Sequence, residues 1–168
     1  GYTSQAGYCY VCAWEKGGRT FIVSLLGCGW PNHKNYKWSD TEKLLSFGDY
    51  NFDYKTYWQE PQAKRILVTD GAADNREIGA GVYLRGKCSV TAEDRKKEIL
   101  LRKGETVTCR TEIPSKVTAP VLKGEKLGRI AYYLDGKLID AYPVYAEKSV
   151  EKIGFKWYAE KVFHDFFH

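Results

Sequence analysis

Serine, cysteine, histidine and lysine are the side chains with which a chain does covalent or metal chemistry, and their spacing decides what they can do together. Cys9 and Cys12 stand in C-x-x-C spacing, which serves zinc or redox chemistry when both thiols reach one point. They sit in the apolar run Gly7-Tyr8-Cys9-Tyr10-Val11-Cys12-Ala13, which reads as a strand, where residues three apart point to opposite faces. No second C-x-x-C follows, and His33, His164 and His168 lack ligand spacing, so no metal is expected and the thiols read as small buried hydrophobes. Five cysteines leave at least one unpaired within the chain. Ser4, Ser24, Ser39 and Ser46 have no lysine or histidine beside them in a nucleophile and base arrangement, and no carboxylate pair stands out in the first fifty residues. The residues alone therefore spell no complete active site.

The elements that would position these groups are clearer. Gly7 to Ala13 and Arg19 to Gly27 are apolar runs joined by Glu15-Lys16-Gly17-Gly18, a hairpin signature. Their near-continuous apolarity predicts strands covered on both faces by helices. Ser39-Asp40-Thr41-Glu42 predicts a capping box ahead of a helix that ends near Gly48. From Asn51 the texture changes to short alternating strands: Phe52 to Trp58, Arg65 to Thr69, Gly81 to Arg85, Cys88 to Ala92, Glu98 to Leu101, Thr106 to Ile113, Gly128 to Leu134 and Lys137 to Tyr145. Many short strands predict a sandwich or small barrel, with Asp135-Gly136 as a type I′ turn and Pro61-Gln62 near the boundary of the two regions.

The stretch Glu147 to His168 has helical period, with Phe155, Tyr158, Ala159, Val162, Phe163 and Phe166 on one face. That stripe fits a helix packed on protein, or one lying in the plane of a membrane with Trp157, Phe163 and Phe166 in the interface. No run reaches the ~20 apolar residues of a membrane span. No leader opens the chain, so an export signal is expected upstream. The net charge of +5 is spread thinly, which speaks for an anionic surrounding and against the basic stripe of a nucleic-acid binder.

Beyond these readings, the series Gly1-Tyr2-Thr3 with Ala6-Gly7-Tyr8-Cys9, Phe21-Ile22-Val23-Ser24-Leu25-Leu26-Gly27 and Asp40-Thr41-Glu42-Lys43-Leu44-Leu45-Ser46-Phe47-Gly48 resembles the segment that starts at the last residue of the K-T-G motif in D-alanyl-D-alanine carboxypeptidases. Ala119-Pro120-Val121-Leu122-Lys123-Gly124-Glu125-Lys126-Leu127-Gly128, the Asp135-Gly136-Lys137 turn and Tyr142-Pro143-Val144 resemble the C-terminal β-sandwich of that low-molecular-weight penicillin-binding protein family. The resemblance implies a mainly β chain with some α. Residues 1–50 would supply strands and a helix of an α/β, transpeptidase-like (β-lactamase-like) domain, 51–146 an antiparallel β-sandwich, and 147–168 an amphipathic tail helix.

It also implies a function, the serine-type removal of the terminal D-Ala from peptidoglycan stem peptides, outside the cytoplasmic membrane in the cell envelope, with β-lactams acylating the intact enzyme. Gly1 would be the glycine of K-T-G, the backbone N–H of Tyr2 an oxyanion-hole donor, and Thr3 and Lys37 substrate-binding. Lys37 stands where many members have an arginine for the substrate carboxylate, and a cation just ahead of a helix start invites an anionic partner, with Asp40 and Glu42 as the local alternatives. S-x-x-K and S-x-N do not occur in matching positions, so this chain alone is expected to be inactive. No cofactor is implied, because acyl transfer needs only serine, lysine and hydrogen-bond donors. A membrane surface is an implied partner and nucleic acid is not. The rival reading is a non-catalytic sandwich that serves as a scaffold or binding module at the envelope.

Overall fold

The computed structural model describes residues 1–61, 64–73 and 81–167. Gln62 and His168, and the side chains of His164 and Asp165, lie outside the described residues. The chain divides into two compact units, Gly1–Lys55 with Leu100–Gly104, and Thr56–Ile99 with Glu105–His168.

In the first unit, Tyr2–Thr3 (β1) pairs antiparallel with Gly7–Tyr8 (β2), and Tyr10–Lys16 (β3) with Arg19–Leu25 (β4). Gly17 and Gly18 take φ of 58° and 75°, the left-handed pair that a two-residue type I′ turn needs. One face of this hairpin is at least half-buried at Tyr10, Cys12, Trp14, Phe21, Val23 and Leu25, and the helix Tyr36–Asn51 (α1) packs there. A side chain at Gly48 would meet the Phe21 ring at 2.9 Å, so the glycine sets how closely helix and strand approach.

The other face is open, with Val11 66% and Ile22 74% exposed, so the expected cover on both faces is present on one only. The helix also corrects its expected limits. Its N-cap is Asn35, and Ser39 and Thr41 lie inside, donating to the carbonyls of Tyr36 and Lys37, so the Ser39-to-Glu42 box is not a cap. It runs past Gly48 to Asn51, where Arg19 donates to the Asp49 and Phe52 carbonyls and pairs with the Asp49 carboxylate at 2.6 Å. A cation on the last carbonyls is what the negative end of a helix favours. Phe52–Thr56 (β5) pairs with Glu98–Arg102 (β8), and Lys103 N–H donates to Asn51 O at 2.6 Å, which ties Leu100–Gly104 to the first unit.

The second unit is built on Arg65–Thr69 (β6), Val82–Cys88 (β7), Val107–Glu112 (β9), Lys116–Thr118 (β10), Lys126–Leu134 (β11) and Lys137–Ala146 (β12). They form one curled sheet in the order β10-β6-β7-β12-β11-β9, antiparallel throughout except for β10 beside β6. The strand expected over Gly81 to Arg85 runs on to Cys88 as β7, and the one expected over Cys88 to Ala92 does not form, because Thr91 and Asp94 bond each other around a tight turn there. Asp135 and Gly136 turn β11 into β12 with φ of 48° and 77°, as the Asp-Gly pair implied. Ile66, Val68, Leu84, Ala119, Val121, Leu127, Ala146 and Val150 make the core.

Val150 explains why the helix expected from Glu147 starts late. It is 4% exposed and exchanges both backbone hydrogen bonds with Val121, while Lys152 bridges Gly71, so Glu147 to Gly154 is not helical and runs extended from Ser149. Only Phe155–Phe167 (α2) is helical. No helix among the described residues is long and apolar enough to cross a membrane.

Candidate functional site

The segment Gly1 to Thr3 is held as an edge. Gly1 and Cys9 exchange two backbone hydrogen bonds at 2.7 Å each, which makes them a hydrogen-bonded pair. The next pair in register, Tyr2 and Tyr8, is then non-hydrogen-bonded, and the alternation of an antiparallel ladder points the Tyr2 N–H away from β2. Tyr8 bonds on its other side, donating to Gly29 O and accepting from Cys28 N–H. Thr3 Oγ1 accepts from Ala6 N–H and closes the turn between β1 and β2, so its hydroxyl is engaged locally.

Two glycines make this layering possible. Gly7 has φ 67°, and a side chain there would strike Gly29 O at 2.7 Å and the Trp30 ring at 3.3 Å. Gly29 has φ 105°, and a side chain there would meet His33 O at 2.7 Å. Trp30 in turn donates its indole N–H to Ser4 O at 3.1 Å, holding the β1–β2 turn.

Lys37 is half-buried in the first turn of α1, not ahead of it. Its ammonium lies 4.7 Å from the Trp38 ring centre and 5.6 Å from that of Tyr8, and the Tyr8 ring stands 4.7 Å from that of Tyr2. Asp40 pairs with Lys43 instead, at 3.3 Å, so the alternative of a local carboxylate for Lys37 is not taken up by Asp40. The fold thus brings Tyr2 and Lys37 together through Tyr8, a residue that sequence reasoning gave no role. Its signal was present as an aromatic opposite Tyr2 across a three-residue turn, but only the register reveals the stack. A cation over aromatic rings near an N–H that the ladder register turns away from its partner strand, with no acceptor shown among the described residues, is chemically a receptor for a carboxylate or a developing oxyanion.

The one S-x-x-K spacing in the chain, Ser149 to Lys152, falls in the extended segment. Ser149 Oγ accepts the Lys123 N–H, and residues three apart on extended chain face opposite ways, so this is not a nucleophile with its base.

The remaining predicted residues are on α2. Phe155, Phe163 and Phe166 are 90%, 65% and 83% exposed on one stripe. Trp157, grouped with them from sequence, is on the other side, half-buried over a cavity lined by Ala72, Val82 and Val150. A step of 3.6 residues per turn puts positions 155 and 157 about 160° apart, which is the physical reason for the correction.

A second polar cluster was missed because its members are far apart in sequence. Asp140 Oδ2 accepts from Tyr57 at 2.7 Å, Tyr142 at 2.8 Å and Lys97 at 3.2 Å. Burial pushes the Asp140 carboxyl up, but the hydrogen bonds from Tyr57, Tyr142, Ala141 N–H and Lys97 outweigh it and hold the group below the usual carboxylate range. Asp94, Tyr142 and Asp140 hold the Lys97 ammonium above its usual range, while burial, Tyr142 and Asp140 push the Tyr57 phenol up. A carboxylate with this many donors is satisfied. It anchors structure and has no spare capacity for catalysis.

Residues 86–152 match the family described as penicillin-binding protein 5, C-terminal domain. Along nearly its whole length the chain is similar to the C-terminal part of low-molecular-weight penicillin-binding proteins. Over 98% of its length it is 26% identical to the D-alanyl-D-alanine carboxypeptidase DacF of Bacillus subtilis (strain 168), and over 92% it is 28% identical to DacC of Escherichia coli (strain K12). It spans only 39% and 36% of those two relatives. Among solved structures, penicillin-binding protein 5 from Haemophilus influenzae is 26% identical, with 90% of this chain and 41% of that one covered and a TM-score of 0.38. The family match lies within β7 to β12 and the strand-like segment after them, whereas Gly1 to Thr3 and Lys37 lie outside it.

Proposed function

We propose that the chain is part of a serine-type D-alanyl-D-alanine carboxypeptidase that trims peptidoglycan stem peptides, and that the edge at Tyr2 completes its oxyanion hole. In this reading a serine and lysine of S-x-x-K, supplied by the rest of the enzyme, form and resolve the acyl-enzyme. Tyr2 N–H stabilises the tetrahedral oxyanion, a donor whose loss costs about 3 to 4 kcal/mol. Gly1 leaves the strand edge bare for the substrate, and the Lys37 ammonium draws the C-terminal carboxylate as a point charge rather than a fork. Thr3 would line the same edge through its backbone, since its hydroxyl is engaged by Ala6. The observation that supports this most directly is the unspent Tyr2 N–H, set by the Gly1–Cys9 pair, in a chain whose curated relatives are carboxypeptidases along nearly all of its length.

The envelope setting belongs to the same reading. The stripe of Phe155, Phe163 and Phe166 would lie in the outer leaflet of the cytoplasmic membrane, with Trp157 serving as a packing residue, and β-lactams would label the intact enzyme only. Residues 1–168 treated with a fluorescent penicillin should show no denaturation-resistant label, and the full-length protein should show it. Stoichiometric labelling of residues 1–168 would overturn the assignment of the nucleophile to the missing part. No label on the full-length protein would favour the non-catalytic sandwich, a reading that draws on the family match lying in the second unit apart from Leu100–Gly104.

A further inference from the structure

The cations of the second unit look scattered along the sequence, yet strand register gathers six of them. On the solvent-facing side of the curled sheet, Arg65 of β6 sits directly opposite Arg85 of β7, and Lys87, two residues on, sits opposite Tyr145 of β12. Tyr145 is in turn opposite Lys126 of β11, and at the far edge Lys116 of β10 is beside Leu67. Residues paired across a ladder project to the same face, and those two apart on a strand share it. All five cations are exposed, while the alternate residues Ile66, Leu84, Val144 and Ala146 are in the core.

The row runs into an open cleft of about 650 Å³ where Lys123 joins Lys87 and Tyr145 beside Ser89, with Glu147 as the one acid of the lining. Among the described residues, none of these six cations makes an ion pair. Elsewhere in the same sheet a cation is answered across the ladder, as Arg129 is by Glu112 at 2.6 Å.

Like charges set directly opposite one another work against a sheet unless something neutralises them. Five neighbouring strands about 4.8 Å apart, four of them carrying cations, with positions about 7 Å apart along each strand, give a ladder of positive points that suits repeated charges on an extended chain better than a single ion. Arginine forks and lysine point charges together are the set that recognises phosphate oxygens. Successive nucleobases need exposed aromatic platforms, and on this face Tyr83 is exposed while Tyr145 is half-buried between lysines. We propose that this face docks a linear polymer carrying one phosphate per repeat on a polyol or sugar spacer. Cations of β6, β7 and β11 hold the phosphates, and Tyr145 packs against a spacer.

The test titrates the full chain with fluorescently labelled poly(glycerol phosphate) across a salt series. Log K should fall linearly with log salt. The triple variant Arg65→Gln, Arg85→Gln, Lys87→Gln should bind about tenfold or more weakly and lose roughly two units of that slope, with unfolding temperature kept or raised because the repulsion is gone. A control triple of equal charge, Lys34→Gln, Lys55→Gln, Lys137→Gln, should stay within about twofold of the parent. The proposal is overturned if the control weakens binding as much as the face variant, if polyglutamate binds as tightly, or if single-stranded DNA of equal charge binds more tightly.

Discussion

The two units answer burial differently. In the second, hydrophobic strands close on themselves: Ile66, Leu84, Ile130, Tyr132 and Val144 are each at most 2% exposed, and Tyr132 stands within 6.0 Å, centre to centre, of Tyr57, Trp58 and Tyr142. The buried hydrophobics of the first are Val23, Cys28 and Leu101, while Val11 and Ile22 face solvent from strands with the composition of a sheet interior. Equal hydrophobicity in sequence has produced a finished core in one place and a half-covered sheet in the other. What differs is how many elements each unit has to place on each face.

The sharpest way to break this contrast is to damage both units by the same kind of change. Leu84→Ala should cost about 2 to 5 kcal/mol of second-unit stability, as expected for a wholly buried leucine, read by chemical denaturation. A value below about 1 kcal/mol would mean that the core is not closed. Tyr57→Phe, which removes one donor from Asp140 and leaves the ring, should cost about 1 to 2 kcal/mol in the same measurement, and Asp140→Asn should not be rescued by it.

The acid limb offers a smaller, signed effect. Thr91 N–H, then Lys97 and the Thr91 hydroxyl, hold the Asp94 carboxyl down at about 2. Its folded value lies below its unfolded one, so its contribution is complete above about pH 4 and is lost as pH falls toward about 2. Asp94→Asn should therefore be less stable than the parent at neutral pH, with the gap closing through that window; a gap constant with pH would contradict the pairing. At the small end, Ile22→Ser on the open face of the first unit should change stability by no more than about 0.5 kcal/mol. A loss of several kcal/mol would show that the face is covered in solution.

How far the sequence could be read follows from the range over which each feature is decided. The two β-turns were legible because Gly17-Gly18 and Asp135-Gly136 carry their own conformational demand. Arg65–Thr69 was legible to the residue because its alternation is local. The start of α1 was misplaced because the Ser-to-Glu spacing mimics a capping box and outweighed Asn35, itself a favoured cap residue type. The extended run through Val150 was hidden by a helical period, since only Val121, far away in sequence, makes that residue a core residue. Lys116–Thr118 is three residues long and parallel, below what alternation can reveal. At the candidate site, Gly1, Tyr2 and Lys37 came from resemblance, whereas the Tyr8 ring between them depends on a register that composition does not carry.

The link from Thr56 into the sheet has a mechanical consequence. Tyr57 reaches Asp140, Gln59 donates to Val107 O at 3.0 Å, and Tyr132 donates to Gln59 O at 3.0 Å, so three bonds from neighbouring residues grip three different strands. A pull arriving along the backbone at Thr56 is shared among them at once, as by rivets in shear, and cannot open them one after another like a zip. Force borne in this way spreads across β9, β11 and β12 before any single strand is peeled.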